Sequence, residues 1–228
     1  MLRVLLMSSS AMQREPDFHR PWYPTALELF EKAAAGKRCR VLDVGGGAAE
    51  MAVLLRERGH TVEFVDIDEN NVARARQLGF LAYRHDCNRP LTELFEPERY
   101  DAALLLEVIE HIVHTQVLLR SLWRCLRPGG FVVVTTPNVA HLWWRLRALL
   151  GHPPRGEGYH VRFFTYALLC RELHTAGFRI EREAHATSTF GLNAIRVLLG
   201  KPPVRLPFPK PLRGLFVRNF AVVARKSP

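Results

Sequence analysis

Glu107, Glu110 and His111 follow directly on an apolar run in LLLEVIEHIVH (residues 104–114), with His114 close behind. Two carboxylates and an imidazole after a buried strand admit three kinds of chemistry. They can serve a helix start, move a substrate proton, or hold a metal ion. A helix beginning near Glu107 would put Glu107, Glu110 and His111 at i, i+3 and i+4, on one face. A metal would need a further ligand from another segment, and GYHVRFFT (158–165) offers His160. Glu107, Glu110, His111 and His160 are therefore the candidate metal ligands, a set that suits Mg²⁺, Mn²⁺ or a similar ion. His111 as a metal-free general base for an oxygen nucleophile is the second reading. The third is a purely structural role.

A second constellation lies earlier. VLDVGGGAAE places Gly45, Gly46 and Gly47 between an apolar run and a helical pattern. Glycines there let the backbone take positive φ and approach a ligand closely. Asp66 closes the next apolar run, where a carboxylate can accept both hydroxyls of a ribose. A dinucleotide fingerprint would want glycine where Glu50 stands. Asp43, two residues before the first glycine, would repel a pyrophosphate. It suits a nucleoside cofactor that carries an ammonium or sulfonium cation.

The elements that must position these residues alternate. Strands are predicted over 39–44, 61–67, 80–86, 100–107, 131–137, 178–186 and 215–225, and helices over 48–59, 69–79, 114–130 and 165–178, with another within 25–36. Asp68 reads as the N-cap of the helix at 69. Such alternation implies right-handed βαβ units and a parallel sheet. Residues 187–214 hold a short apolar piece and five prolines within 202–211, which argue for an extended loop. The last strand is therefore expected to run antiparallel to its predecessor.

Taken in order, these segments resemble the class I S-adenosylmethionine-dependent methyltransferases. LDVGGGAAE is similar to their first motif, D-x-G-x-G-x-G, with Ala49 in place of the last glycine. VEFVDID resembles the second motif, HDCNRP the adenine-side segment, YDAALLLEVIEH the fourth strand and LRPGGFVVVTTPN the fifth. The resemblance covers residues 39–186. It implies a Rossmann-like α/β fold, a seven-stranded and mostly parallel sheet with an antiparallel C-terminal strand. It implies S-adenosylmethionine as cofactor and S-adenosylhomocysteine as product. By the same resemblance, Asp43 acts near the methionine moiety and Gly45, Gly46 and Gly47 form the backbone cradle. Asp66 holds the ribose, Ile67 lies against adenine, and Asp86 accepts from the adenine amino group with the Cys87 amide nearby. Leu106 and Glu107 face the methionine end. E-x-x-E-H with a later histidine and a T-P-N segment (Thr136, Pro137, Asn138) is also similar to two metal-using O-methyltransferase groups. One methylates ubiquinone precursors, the other the 2′-hydroxyl of small RNAs.

The whole chain of 228 residues reads as one methyltransferase domain: a leader and helix (1–36), the cofactor-binding core (37–186), a basic proline-rich insertion (187–214) and the last strand and tail (215–228). The four cysteines show no C-x-x-C or zinc-finger spacing, which points to reduced thiols and a cytoplasmic protein. The apolar part of the N-terminus is too short to predict a signal peptide, and no stretch is long enough for a membrane span. Formal net charge is +10, and eight basic residues but no acidic one follow Glu183. NVAHLWWRLRALLG (138–151) is apolar nearly all round with Arg145 and Arg147 interleaved. Its adjacent tryptophans cannot face the same way on a helix. The segment fits a lid over the acceptor, a helix in a membrane interface, or a core helix. The basic tail fits an anionic membrane surface or RNA. Three functions stay open: an O-methyltransferase for a small molecule (quinone precursor, lipid or glycan), an RNA 2′-O-methyltransferase, and a catalytically inactive cofactor-binding docking module.

Overall fold

The computed structural model describes residues 22–153, 159–187 and 210–227, together with Arg196, residues 199–201 and Val204. The leader through residue 21 and most of the proline-rich insertion lie outside the described residues. The elements alternate as α1 (Trp22–Ala34), β1 (Arg40–Val44), α2 (Glu50–Glu57), β2 (Thr61–Asp66), α3 (Glu69–Gln77), β3 (Leu81–Arg84) and β4 (Tyr100–Leu106). Then come α4 (Thr115–Cys125), β5 (Leu126–Pro137), α5 (Leu142–Leu149), α6 (Tyr166–Thr175), β6 (Phe178–Glu183), β7 (Ala186–Thr187), α7 (Lys210–Phe216) and β8 (Val217–Lys226).

The strands form one sheet in the order β3-β2-β1-β4-β5-β8-β6. Pairings among β1 to β5 are parallel, and β8 runs antiparallel between β5 and β6. This is the Rossmann-like fold expected from the alternation. β4 is covered on both faces. Ala103 and Leu105 join the cluster that includes Leu118, Leu122, Leu169 and Leu173 of α4 and α6. Ala102 and Leu104 join the cluster that includes Phe30, Leu55 and Val72 of α1, α2 and α3. Strand order reverses at β1 and β4. In an open α/β sheet, ligands bind beyond the carboxyl ends of the strands at such a point. Asp43 and Glu107 lie at those two ends.

Four local expectations need correction. The helix expected to run to 130 stops at Cys125, and Leu126 is already extended. Pro128 is the reason, because it disfavours helical geometry at Arg127 and brings no backbone N–H. The strand expected over 178–186 is broken: a register shift falls between Ile180 and Arg182, and β7 resumes pairing with β8. The loop expected to reach 214 ends instead in α7, with Pro211 in its first turn, where a missing N–H costs nothing. The helix expected from Glu107 does not form. Glu107 takes φ 58°, and a 3-10 turn spans Ile109–His111.

At the amino end of the strands, away from that crevice, Glu63 of β2 is 1% exposed. It accepts from Arg40 Nη2 at 2.5 Å, Arg99 Nη2 at 2.9 Å and Tyr100 Oη at 3.0 Å. Burial raises its pKa, but these donors outweigh burial and hold the carboxyl below its usual range. A depressed carboxylate stabilises the fold above its unfolded-state pKa, and that contribution is lost as pH falls through the native value. Glu63→Gln should therefore destabilise the protein at pH 7 by about 3 kcal/mol in urea unfolding, because two guanidinium groups lose their partner. The difference from wild type should shrink as the pH is lowered below 4. Equal stability at pH 7 would refute the assignment.

Candidate active site

The glycine turn is shaped by what it cannot accommodate. Gly45 has φ 65°, and a Cβ there would meet Val108 Cγ2 at 2.6 Å. A Cβ on Gly46 would meet Phe64 Cε2 at 2.4 Å and Asp43 Oδ2 at 2.5 Å. Gly47, with φ 55°, faces open space. Ala49, the residue that replaces the motif's last glycine, also takes the left-handed conformation, φ 61°, as N-cap of α2. An alanine there accepts roughly 1–2 kcal/mol of backbone strain.

Asp43 is 1% exposed, and its Oδ2 has no hydrogen-bond partner among the described residues. Burial, followed by repulsion from Asp66, pushes its pKa up to about 7. Both Asp66 oxygens are engaged, with accepting capacity left on Oδ1: Oδ2 accepts from Gly47 N at 3.1 Å and Asn71 Nδ2 at 3.2 Å, and Oδ1 from Asp68 N at 2.9 Å. It ties the glycine turn to the start of α3, which Asp68 caps by accepting from Asn70 N. Ile67, beside it, is 60% exposed despite being apolar. Asp86 Oδ1 accepts from the backbone N and side chain of Asn88, which holds its carboxyl below the usual range. Burial pushes the Cys87 thiol up to about 12, so Cys87 can serve a ligand only through its backbone. Leu106 is half-buried against the cluster that includes α1 to α3.

These features fit an S-adenosylmethionine site. A buried carboxylate lacking a donor calls for a cation, an open glycine backbone calls for close approach, and an exposed isoleucine calls for a flat apolar partner. Asp43, Gly45, Gly46, Gly47, Asp66 and Ile67 are drawn together around the carboxyl ends of β1 and β2.

Beyond β4 a second group assembles. Ligand atoms of Glu110, His111 and His160 all lie within 4.8 Å of one another. Glu110 is 1% exposed, and its Oε2 accepts from Thr136 Oγ1 at 3.0 Å. Its carbonyl accepts from the backbone N of both Val161 and Arg162, which brings His160 to the turn. His111 Nδ1 lies 3.0 Å from the Tyr159 carbonyl. A carbonyl only accepts, so Nδ1 carries the hydrogen and Nε2 keeps its lone pair for a ligand or proton. Glu107 stands apart from this cluster. Its backbone N donates to Thr135 O and Oγ1, and its Oε2 accepts from Asn219 Nδ2 at 2.8 Å. A pocket adjoins the cluster, lined by Glu110, Val139, Trp144, His160, Arg162 and Phe163 among others. Thr136 was legible only as part of a motif, and Tyr159 and Asn219 carried no signal at all, because each acts through a long-range contact.

Raised above its unfolded-state value, the Asp43 carboxyl stays protonated in the cofactor-free protein while the unfolded chain has already ionised. Its contribution to stability is therefore lost as pH rises from about 4 to about 7. Asp43→Asn should match wild type near pH 3.5 and exceed it at pH 8, by on the order of 4 kcal/mol, in paired thermal unfolding curves without cofactor. A difference that does not change with pH would show that Asp43 is ionised throughout.

Residues 15–183 match the family model described as a methyltransferase domain. The chain is 34% identical over 120 residues to a ubiquinone biosynthesis O-methyltransferase of Bradyrhizobium diazoefficiens, covering 50% of this chain and 47% of that protein. It thus spans about half the length of that curated relative. Among solved structures, an S-adenosylmethionine-dependent methyltransferase from Mesorhizobium loti superposes with TM-score 0.66 at 18% identity, covering 90% of this chain and 97% of that one. An N1-methyltransferase for 1,6-didemethyltoxoflavin from Burkholderia thailandensis, solved with S-adenosylhomocysteine, gives 0.57 at 22%, over 90% and 77%. At such identities the structures share the fold and leave the methyl-accepting atom open. With a methyltransferase-domain model spanning residues 15–183, the chain belongs to the methyltransferase-domain family, and it has the fold of S-adenosylmethionine-dependent methyltransferases.

Proposed function

We propose that the chain methylates a hydroxyl oxygen of a small-molecule acceptor, and that Glu110, His111 and His160 gather a divalent cation at that oxygen. The gathering of these three ligand atoms within 4.8 Å, at the end of β4 and beside an aromatic-lined pocket, carries the reading. The partial likeness to a ubiquinone biosynthesis O-methyltransferase supports a phenolic acceptor.

S-adenosylmethionine, when bound, supplies an electrophilic methyl group on a sulfonium sulfur. This chain's residues hold and aim. Asp43 offers a negative charge to the cationic end, Asp66 accepts from ribose hydroxyls, and Ile67 covers a face of adenine. Trp144 and Phe163 flank the acceptor pocket and exclude water from it. A bound divalent cation such as Mn²⁺ or Mg²⁺ would lower the acceptor's pKa. One carboxylate and two imidazoles suit Mn²⁺ better than Mg²⁺, which prefers oxygen. The ligands are braced from behind. Thr136 donates to the Glu110 carboxylate, and Tyr159 orients the His111 ring. Glu107 is left to brace the cofactor's methionine end through Asn219.

The His111 tautomer supports a second reading. With Nδ1–H on the Tyr159 carbonyl, Nε2 can take the acceptor's proton without a metal. Two measurements separate the readings. If the cation is held here, isothermal titration with Mn²⁺ shows one site, and both His160→Ala and EDTA abolish methyl transfer. Thr136→Val should then weaken Mn²⁺ by about 10–100-fold. Full transfer in EDTA that is lost in His111→Ala would establish the metal-free base instead.

A further inference from the structure

Helix α5 buries none of its residues. Trp143 in its first turn, Leu146 and Leu149 further along and Leu150 at its end are 56%, 45%, 82% and 76% exposed. At 3.6 residues per turn they share an arc of about 120°. Arg147 flanks this stripe on the Trp143 side and Arg145 on the Leu149 side. The Arg145 guanidinium is held at the helix start by the Ala140 carbonyl, 2.8 Å from Nε. Trp144 falls on the far side, where it lines the acceptor pocket. The helix thus presents one tryptophan to the site and the other outward.

The surroundings are basic. Of the eight cationic residues after Glu183, Arg225 is paired with Glu181, and Lys226 with Glu98 and the Leu126 carbonyl. The other six fall between 196 and 218 in a stretch with no acid. α7, with Leu212 exposed, packs on α5. Arg218 lies close enough to His141, the N-cap of α5, to reinforce the lowering of its pKa by burial.

We propose that the outward face of α5, flanked by Arg145 and Arg147 in a chain whose C-terminal sequence is rich in cations, docks on a bilayer rich in anionic phospholipid. A leaflet is the one occupant that meets every feature. Acyl chains take the four apolar side chains, headgroup phosphates take the flanking arginines, and tryptophan and arginine both favour the interface. A second copy packed across a two-fold axis would set Arg145 and Arg147 against their own images. Nucleic acid would find leucines where it needs stacking rings. Docked this way, α5 places the acceptor pocket, on its other face, next to the lipid. Among the described residues no helix is long and apolar enough to cross a membrane.

Co-sedimentation of the full chain with phosphatidylcholine vesicles, with and without phosphatidylglycerol, tests the proposal. Binding should be at least about tenfold stronger with phosphatidylglycerol and weaken as salt is raised. Leu149→Glu with Leu150→Glu should reduce it at least about tenfold while thermal unfolding and S-adenosylmethionine binding stay at wild type, because both side chains are exposed. Equal binding to neutral vesicles would overturn the proposal, as would full binding by the double variant. So would finding that the double variant loses a dimer or an RNA complex rather than vesicles.

Discussion

A carboxylate at the centre of the sheet, with one oxygen buried and lacking a donor, is the constraint around which the cofactor crevice is built. Asp43 sits at the end of β1 with Asp66 close enough to raise its pKa, and no cation among the described residues offsets that. Leaving such a group in place costs stability that a protein of ordinary size can spare only for function. The glycine turn follows from it. Gly46 has no Cβ because the Asp43 oxygen and the Phe64 ring already occupy that space, and Gly45 has none because Val108 does. The bend that lets Gly47 face open space is held by the Asp66 carboxylate. One buried carboxyl that ionises only when a cation arrives, its neighbour and a side-chain-free turn thus fit a positively charged nucleoside.

The second cluster depends on the turn after β4. A helix from Glu107 would have set Glu107, Glu110 and His111 on one face. Instead Glu107 takes φ 58°, and the chain tightens into a 3-10 turn. That reversal separates the roles. Glu107 goes to Asn219 on the antiparallel strand, and Glu110 turns inward to Thr136. On the function proposed above, the glutamate nearest the strand serves the cofactor side, and the next one the acceptor side. Two sites of opposite demand, one for a cation and one built from lone pairs, stand at the ends of neighbouring strands.

Much of this was legible because it is local. The alternation of apolar runs and helical spacing carries strand order with it, since βαβ units are right-handed and connections short. The proline-rich link before the last strand pointed correctly to its antiparallel run, although the link ends in α7. The glycine loop, Asp66 and the Asp68 cap are sequence-near features. What escaped was non-local or fine. Nothing in the sequence says that Tyr159 will meet His111, or that Asn219 will reach Glu107 across more than a hundred positions. The i, i+3, i+4 argument failed because helical spacing was assumed across a residue that adopts a left-handed conformation. Periodicity cannot see a single such residue.

Family membership leaves the methyl-accepting atom undecided, since a structure with the same fold is an N-methyltransferase. The nucleophile must be argued from the groups that face it. A nitrogen acceptor with a free lone pair needs little help to attack a sulfonium carbon. A hydroxyl must lose its proton, and that calls for a base or a cation within reach. Here the acceptor side carries a carboxylate and two imidazoles, one of them fixed in the tautomer that leaves Nε2 unprotonated. Holding an inward-turned glutamate and an oriented histidine at one point is more than an amine needs, which is the ground for proposing an alcohol or phenol. The architecture around the pocket, with Trp144 closing it and the opposite face of the same helix exposed and apolar, fits an acceptor poorly soluble in water.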